Sequence, residues 1–570
     1  MGAHPGNTSL TALHTAHVAA LAAQVAPDGE VHDPHTGGPA AADHYAHCST
    51  ALALACAGHG HERMFAPLRA WQRLPDTLTG HLPFNRLLLQ LLARHACPAD
   101  TPQADRSLLT VLRDRCQLQT HYPSNNWTLL AQACRLIESD TPNAQRTEAE
   151  HFDALLQQWT TPAGGFIDYP ANVRDGSRVA TPFAYHHKAL FLAALGARLS
   201  GAPSALAHAR RLYDWLVHCW DPAGYAGGLG RSSHALFGDA CLAGALILLG
   251  EDHDAATSPL HALSRRLMTQ RREDGLLWLD PAGPTDGDAA WDGYMRLAVY
   301  NAWFAAVVGI CRLLGPLAES QRTASHIAWR ADRCGLFHDE VAGVLALRPA
   351  GGGIGIISTR GQAPQSFSRE HAELRYAGGV VVHARDAAGR LLAAPPVRIS
   401  RTRLSAEPAL AGPVPLFRWH GELHGLTDFE ETEIHDNGNG QFRVQLEGKP
   451  TAVLQPLPRT FLARFVATLD WRLLGGRLAR RQALHRTALP GLRATRLITL
   501  DLQHGRIDYA LTLQQPAALP ADVEWLNPGA SMRLAGSAPT PTATARCVPL
   551  PSSLPGALGC RDASSRSEAN

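Results

Sequence analysis

The sequence predicts an α+β multidomain protein, with an N-terminal α/α toroid over residues 1–332 and a C-terminal antiparallel β-sandwich over 333–535. Residues 536–570 are Pro-, Ser- and Ala-rich and are expected to be a disordered tail. Three observations carry this reading. The chain has 570 residues, more than one ordinary core organises. As far as about Ala331, apolar residues recur at intervals of three and four, the period of amphipathic helices. Beyond Cys334 the pattern alternates or runs β-branched, as strands do.

Taken in order, the helical half offers candidate helices at 9–24, 44–58, 84–96, 106–119, 126–138, 146–159, 184–199, 203–219, 235–249, 256–270, 289–314 and 317–331. The turn clusters PDGE, DPHTGGPAA, PAGG, DPAG and DPAGPTDGD separate them. Helices on such short turns suggest hairpins closing into a toroid. A solenoid is the competing arrangement, although no repeat of fixed period is visible. The strand signals are GVLALR, GIGIIST, AELRY, GGVVVHAR, PVRISRTRL, QFRVQLEG, TAVLQPL, TFLARFVATLDWRL, ATRLITLDL and RIDYALTL. DNGNG at 436–440 is a strong turn signal among them.

Composition narrows the function classes. Hydrophobic residues make up 45% and charged residues 18%, as in a globular soluble protein. A formal net charge of +2 is too small to draw nucleic acid by bulk electrostatics, so no nucleic-acid partner is expected. No run of eighteen apolar residues occurs, so no membrane partner is expected either. Eleven cysteines without a C-x-x-C pair read as reduced thiols. The first thirty residues lack a basic n-region and an uninterrupted apolar h-region, so a cytoplasmic location is expected. No zinc-type spacing, H-E-x-x-H, P-loop or G-x-S-x-G appears, and neither a metal nor a cofactor is expected.

The stretch with most chemistry is DGSRVATPFAYHH, Asp175 to His187, read with Asn125-Asn126-Trp127 upstream. A glycine-broken polar loop delivers Tyr185, His186 and His187 to the start of an apolar helix. Asp175-Gly176 lies ten residues before Tyr185 with Pro182 between, and Asn126 lies fifty-nine before it. With these spacings the chain resembles the heparinase II/III-like and alginate-lyase-like polysaccharide lyases, in which a helical toroid precedes an antiparallel sandwich. The resemblance implies cleavage of a uronic-acid glycan by β-elimination, with an anionic polysaccharide or oligosaccharide as substrate. It departs at one place: the Gly-x-His-x-His-x-Asp sequence of many members is absent, and Arg360 and His371 are the obvious substitutes.

In β-elimination the C5 proton is removed, charge builds on the carboxylate, and the C4 oxygen leaves. By resemblance Asn126 neutralises the carboxylate, with Asn125 the neighbouring candidate. The plain alternative is an Asn cap on the helix that follows. Tyr185 would protonate the leaving oxygen and could also serve as the base; otherwise it is an amphipathic residue at a helix start. His186 and His187 diverge by about 100° on a helix, so one faces the sugar and the other packs or caps. His186 follows the Tyr directly, as in the family, and is the favoured one.

The loop Gly230–Asp239 adds Arg231 as a carboxylate ligand and His234 as a second base. Trp127, Tyr169, Arg174 and Tyr294 are candidate substrate contacts. Two other readings stand beside the lyase. A glycoside hydrolase would use Asp175, Asp239 and Asp292 as its carboxylates. A non-catalytic glycan-binding protein would keep the fold alone.

Overall fold

The computed structural model describes residues 10–168, 180–251, 258–281, 296–318, 335–361, 367–393, 396–457, 460–473, 478, 486–514, 523–527 and 531–534. It is an α+β protein, helical first and then built of largely antiparallel sheets. The helices are α1 (Leu10–Ala23), α2 (Ala46–Cys56), α3 (His61–Gln72), α4 (Leu82–Leu91), α5 (Gln103–Arg115) and α6 (Asn125–Glu138). They continue with α7 (Pro142–Trp159), α8 (Phe183–Ser200), α9 (Pro203–His218), α10 (Leu236–Leu249), α11 (Pro259–Thr269) and α12 (Leu297–Leu314).

The even-numbered helices pack in a closed series: α2 on α4, α4 on α6, α6 on α8, α8 on α10, α10 on α12, and α12 back on α2. The odd-numbered helices lie against them, α3 on α2, α5 on α4, α7 on α6, α9 on α8, α11 on α10 and α1 on α12. Sequence explains who goes where. In α8, α10 and α12 nearly every position is buried, so these helices are apolar all round. In α5 only Asp105, Leu108, Leu109 and Leu112 are buried, one stripe on an otherwise polar helix. Among the described residues α12 is the helix long and apolar enough to cross a membrane, and 83% of it is buried inside the protein.

Four of the odd-numbered helices end in the same seven-residue device. After α1, α7, α9 and α11 the chain makes antiparallel bridges between Val25 and Val31, Thr160 and Phe166, Trp220 and Ala226, and Arg271 and Leu277. The fifth residue of each is a glycine with positive φ: Gly29 at 90°, Gly164 at 107°, Gly224 at 96° and Gly275 at 85°. A Cβ on Gly29 would stand 2.1 Å from the Ala66 carbonyl of α3, and one on Gly224 2.5 Å from the Ala262 carbonyl of α11. Each turn therefore presses on the next outer helix, which only glycine permits.

Two-residue strands β1 (His32–Asp33), β2 (Gly38–Pro39), β3 (Trp220–Asp221) and β4 (Tyr225–Ala226) lie in the helical half. The second half opens with β5 (Gly335–Asp339), β6 (Val344–Arg348), β7 (Ile354–Ser358), β9 (Val380–Arg385) and β10 (Leu391–Ala393), ordered β10-β9-β7-β6-β5 in one sheet. Smaller sheets pair β8 (His371–Glu373) with β11 (Arg398–Ser400), and join β12 (Leu416–Trp419), β13 (Glu422–Gly425), β16 (Thr451–Ala452) and β19 (Glu524–Asn527). A second sheet holds β14 (Phe429–Asp436), β15 (Gln441–Gly448), β17 (Arg493–Asp501), β18 (Arg506–Gln514) and β20 (Ser531–Leu534), antiparallel except for its β18–β20 edge. Side chains of both sheets share one apolar cluster that includes Leu345, Ile357, Val444 and Ile498. The first sheet's other face meets Ile167, Phe183 and Trp215 of the helical half. Covered on both sides, β7 is buried at all five positions. In β15 and β17 buried positions alternate, since one face of that sheet meets water.

Two expectations need correction. TFLARFVATLDWRL is a helix over Phe461–Leu473, not a strand; its apolar residues recur at three and four, and aromatic content had masked that period. Helix α3 was not anticipated, because Pro67 and the polar HER start interrupt its pattern. The DNGNG turn does join β14 to β15, with positive φ at Gly438, Asn439 and Gly440. Most of 317–331, the start of 289–314 and the tail 536–570 lie outside the described residues.

Candidate active site

The first turns of the six inner helices each bring an aromatic ring to one end of the helical ring. They are Tyr45 just before α2, Phe84 in α4, Trp127 in α6, Tyr185 in α8, Phe237 in α10 and Tyr300 in α12. Tyr45 stacks on Phe84 with centroids 4.6 Å apart, Phe84 meets Trp127 edge-on at 5.6 Å, and Phe237 meets Tyr185 at 6.5 Å and Tyr300 at 5.6 Å. Tyr45, Phe84, Phe237 and Tyr300 are buried, while Trp127 and Tyr185 remain partly exposed. The result is an aromatic floor with two rings reaching to its surface.

Beside this floor lies a buried polar chain. Asp168, from the turn after α7, caps α6: its carbonyl accepts the Asn125 N–H and its Oδ1 the Asn126 N–H, both at 2.9 Å. Asn125 spends its side-chain amide on the Ile167 carbonyl at 2.9 Å. The Asn126 amide donates to Asp168 Oδ1 at 2.6 Å and to Ser124 Oγ at 3.0 Å, and its Oδ1 accepts from Lys188 Nζ at 2.8 Å. Lys188 sits 4.1 Å above the Phe84 ring. Burial pushes Asp168 up to about 6, against the Asn126 hydrogen bonds and the charges of Lys188 and Arg231. Burial likewise pulls Lys188 down to about 7.

The residues after Tyr185 turn inward. His186 Nδ1 accepts the Phe166 N–H at 3.2 Å, and its Nε2 donates to the Leu212 carbonyl at 2.9 Å. Both nitrogens are spent on backbone, the ring packs on Trp215 at 4.4 Å, and burial lowers its pKa to about 4. His187 is buried against Gly238 and drops to about 3. His186 thus has both ring nitrogens engaged by backbone, and both imidazoles are buried. Asn126, fully engaged and 3% exposed, acts as a hub rather than as an open donor for a substrate carboxylate.

The loop after β4 (Tyr225–Ala226) closes the site from the other side. Gly230 donates to the Arg375 carbonyl at 2.9 Å, bringing the β region's Tyr376 within reach. A Cβ on Gly230 would lie 2.8 Å from the Tyr376 ring. The charge of Arg231 acts on both Asp168 and Tyr376, and Tyr376 also feels Tyr185. The structure therefore gathers Tyr185, Arg231, Asp168, Lys188 and Tyr376.

His234 stands apart. It packs on Tyr225 at 5.1 Å and on His383 at 5.4 Å, where burial and the charges of His383 and Arg266 hold it well below the ordinary histidine range. Asp239 is buried and paired with Arg266 at 2.6 Å. Arg360 bonds the Glu340 carbonyl at 2.6 Å within the β region, and His371 pairs with Ser400 across β8 (His371–Glu373) and β11 (Arg398–Ser400). Tyr169, Arg174 and Tyr294, with Asp175 and Asp292, lie outside the described residues.

Sequence reasoning missed Asp168, Lys188 and Tyr376. Lys188 had a signal: three residues after Tyr185 it shares that residue's helix face, and it is the one charge in FAYHHKALFLAALG.

One donor cluster among the described residues could be read as a metal site: Asp43, His44 and His81 hold ligand atoms within 4.8 Å of one another. The two imidazoles are stacked, with centroids 4.3 Å and planes 24° apart. His81 Nδ1 is engaged with the Asp43 carbonyl at 2.6 Å.

No family model matches the chain, and no curated protein matches it. Among solved structures it is similar to a glycosyl hydrolase family 88 protein from Bacteroides vulgatus, at 10% identity and a TM-score of 0.35 over 48% of this chain and 92% of that one. It is also similar to a polysaccharide lyase, at 11% identity and a TM-score of 0.34 over 48% and 90%. A third is the GH76A alpha-1,6-mannanase from Salegentibacter sp. HEL1_6, at 12% identity and a TM-score of 0.38 over 53% and 99%.

Proposed function

We propose that the helical ring is an α/α toroid, that the two large sheets form a sandwich, and that the protein is a lyase cleaving a uronic-acid glycan by β-elimination. The observation that carries the reading is the balance of charge at the aromatic end of the ring. Arg231 and Lys188 gather there, while Asp168 is held by Asn126, Asp239 by Arg266 and Glu373 by Arg375, which leaves Asp43, beside His44 and His81, as the exposed carboxylate named at this end. A site built this way suits an anionic sugar better than a hydrolysis that needs a carboxylate acid and a carboxylate base.

In this reading Arg231 takes over the neutralising role first given to Asn126, pairing with the substrate carboxylate as charge develops on it. Tyr185 acts twice. As phenolate it takes the C5 proton, and the hydroxyl so formed returns that proton to the departing C4 oxygen, restoring the phenolate. Trp127 offers a face for sugar stacking. Asn126, Asp168 and Lys188 position the start of α6 against α8, so that Trp127 and Tyr185 keep their spacing.

The test is the mass of the products from defined oligouronates. Elimination gives one fragment per cleavage that lacks the elements of water relative to hydrolysis. Products that all carry the added water would overturn the lyase in favour of the hydrolase.

A further inference from the structure

Helix Phe461–Leu473 is turned inside out. Six of its large apolar residues face solvent, with Phe461 86%, Leu462 70% and Leu473 75% exposed, and Phe465, Val466 and Leu469 exposed beside them. At 100° per residue these six positions fall within an arc of about 140°, with the position of Arg472 near one edge of it. The helix's single carboxylate, Asp470, is instead buried and accepts the Leu478 N–H at 2.9 Å. A soluble domain that exposes such a stripe while hiding its acid leaves a docking face.

The charge of the sequence that carries the stripe selects the occupant. From Leu457 to Arg486 the sequence holds seven arginines and one acid, Asp470, a formal +6, whereas the whole chain carries +2. A second copy docked on the same face would bring two such basic segments together, and like charges oppose that pairing. A nucleic acid would answer the arginines and leave the phenylalanine and leucine side chains in water. A bilayer containing anionic lipid answers both, taking arginines at the headgroups and the apolar stripe at the acyl boundary.

We propose that helix Phe461–Leu473 lies in the surface of an anionic membrane and anchors the protein there peripherally. This does not depend on the reaction proposed above.

The test is co-sedimentation of the full chain with vesicles of phosphatidylcholine containing phosphatidylglycerol, beside vesicles of phosphatidylcholine alone. The wild type is expected to pellet with the anionic vesicles, less so as salt is raised, and to stay in solution with the neutral ones. The Leu462→Ser/Phe465→Ser variant should lose about a hundredfold in partition. Both side chains are exposed, so its thermal unfolding should match the wild type. Absence of pelleting with anionic vesicles at low salt would overturn the proposal, as would equal pelleting of the double variant or indifference to lipid charge. A wild-type dimer that the double variant dissolves, with no vesicle binding, would assign the stripe to a second copy instead.

Discussion

Two buried aspartates of nearly equal exposure have opposite chemistry. Asp221, in β3 (Trp220–Asp221), joins the helical half to the first sheet: its Oδ2 accepts His383 Nε2 at 2.7 Å and Arg385 Nε at 2.8 Å. Burial works to raise its pKa, but the His383 hydrogen bond and the Arg385 guanidinium in direct contact outweigh it and hold the carboxyl well below the usual range. Among the described residues the Asp168 carboxylate accepts from an amide and a backbone N–H, with Lys188 one side chain further away. There burial wins, and the group titrates near neutrality. Direct cationic contact makes Asp221 a fastening; its lack leaves Asp168 and Lys188 adjustable beside the aromatic floor.

Breaking the fastening should have the largest effect on stability. Asp221→Ala leaves His383 and Arg385 facing each other without their anion, and should cost about 3–5 kcal/mol in denaturant unfolding. The variant should also lose the coupling between helical and β halves, seen as separate transitions by probes in each half.

Smaller losses should come from the helix that carries Tyr185. His186→Ala removes a ring that bonds two backbone groups and fills space against Trp215, and should cost roughly 2–3 kcal/mol. If His186 is structural, KM for a working substrate should stay near wild type at temperatures where the variant is folded. A turnover loss with unchanged stability would return it to catalysis.

Asp168 should respond in the opposite sense to Asp221, its contribution falling as pH rises from 3.8 to about 6, whereas Lys188 shares the sign of Asp221 at a higher pH. Because the folded protein holds Lys188 near 7 rather than 10.5, the unfolded chain binds a proton that the folded one has released between those values. Stability from this group therefore rises with pH across that window. Lys188→Met should remove that slope, and near pH 7 it should change stability by no more than about 1 kcal/mol. A loss as large as that of Asp221→Ala would show that the two carboxylates are fastened alike.

How far the sequence reached depends on the kind of signal. Inner helices such as α8 and α12 were legible because apolar residues at helical spacing need no partner to be recognised. The PDGE, PAGG and DPAG turns were also visible, but only as punctuation. Their identity as one device appears when Gly29 and Gly224 are seen pressing on the next outer helix, a contact set by chain closure rather than by local sequence. The helix Phe461–Leu473 was misread because its aromatic residues masked the three-and-four period, and the same masking hid its amphipathic character.

Of the residues singled out in the sequence, the structure places Tyr185 and Trp127 among the rings at one end of the inner helices, with the charge of Arg231 acting on Asp168 beside them. The sequence could not tell which neighbours were consumed by backbone. His186 and Asn126 look chemically able until Phe166, Leu212 and Asp168 are brought against them from 20, 26 and 42 residues away. Lys188 shows the converse, a charge inside an apolar helix that only long-range packing could explain.

The most direct test of the account is ultraviolet absorbance on mixing the protein with a panel of uronate polysaccharides and their oligomers, beside Tyr185→Phe. The account predicts a rise with the wild type, from the new C4–C5 double bond, that vanishes in the variant while its unfolding midpoint holds. A rise that survives in Tyr185→Phe, or new reducing ends without any absorbance, would contradict it.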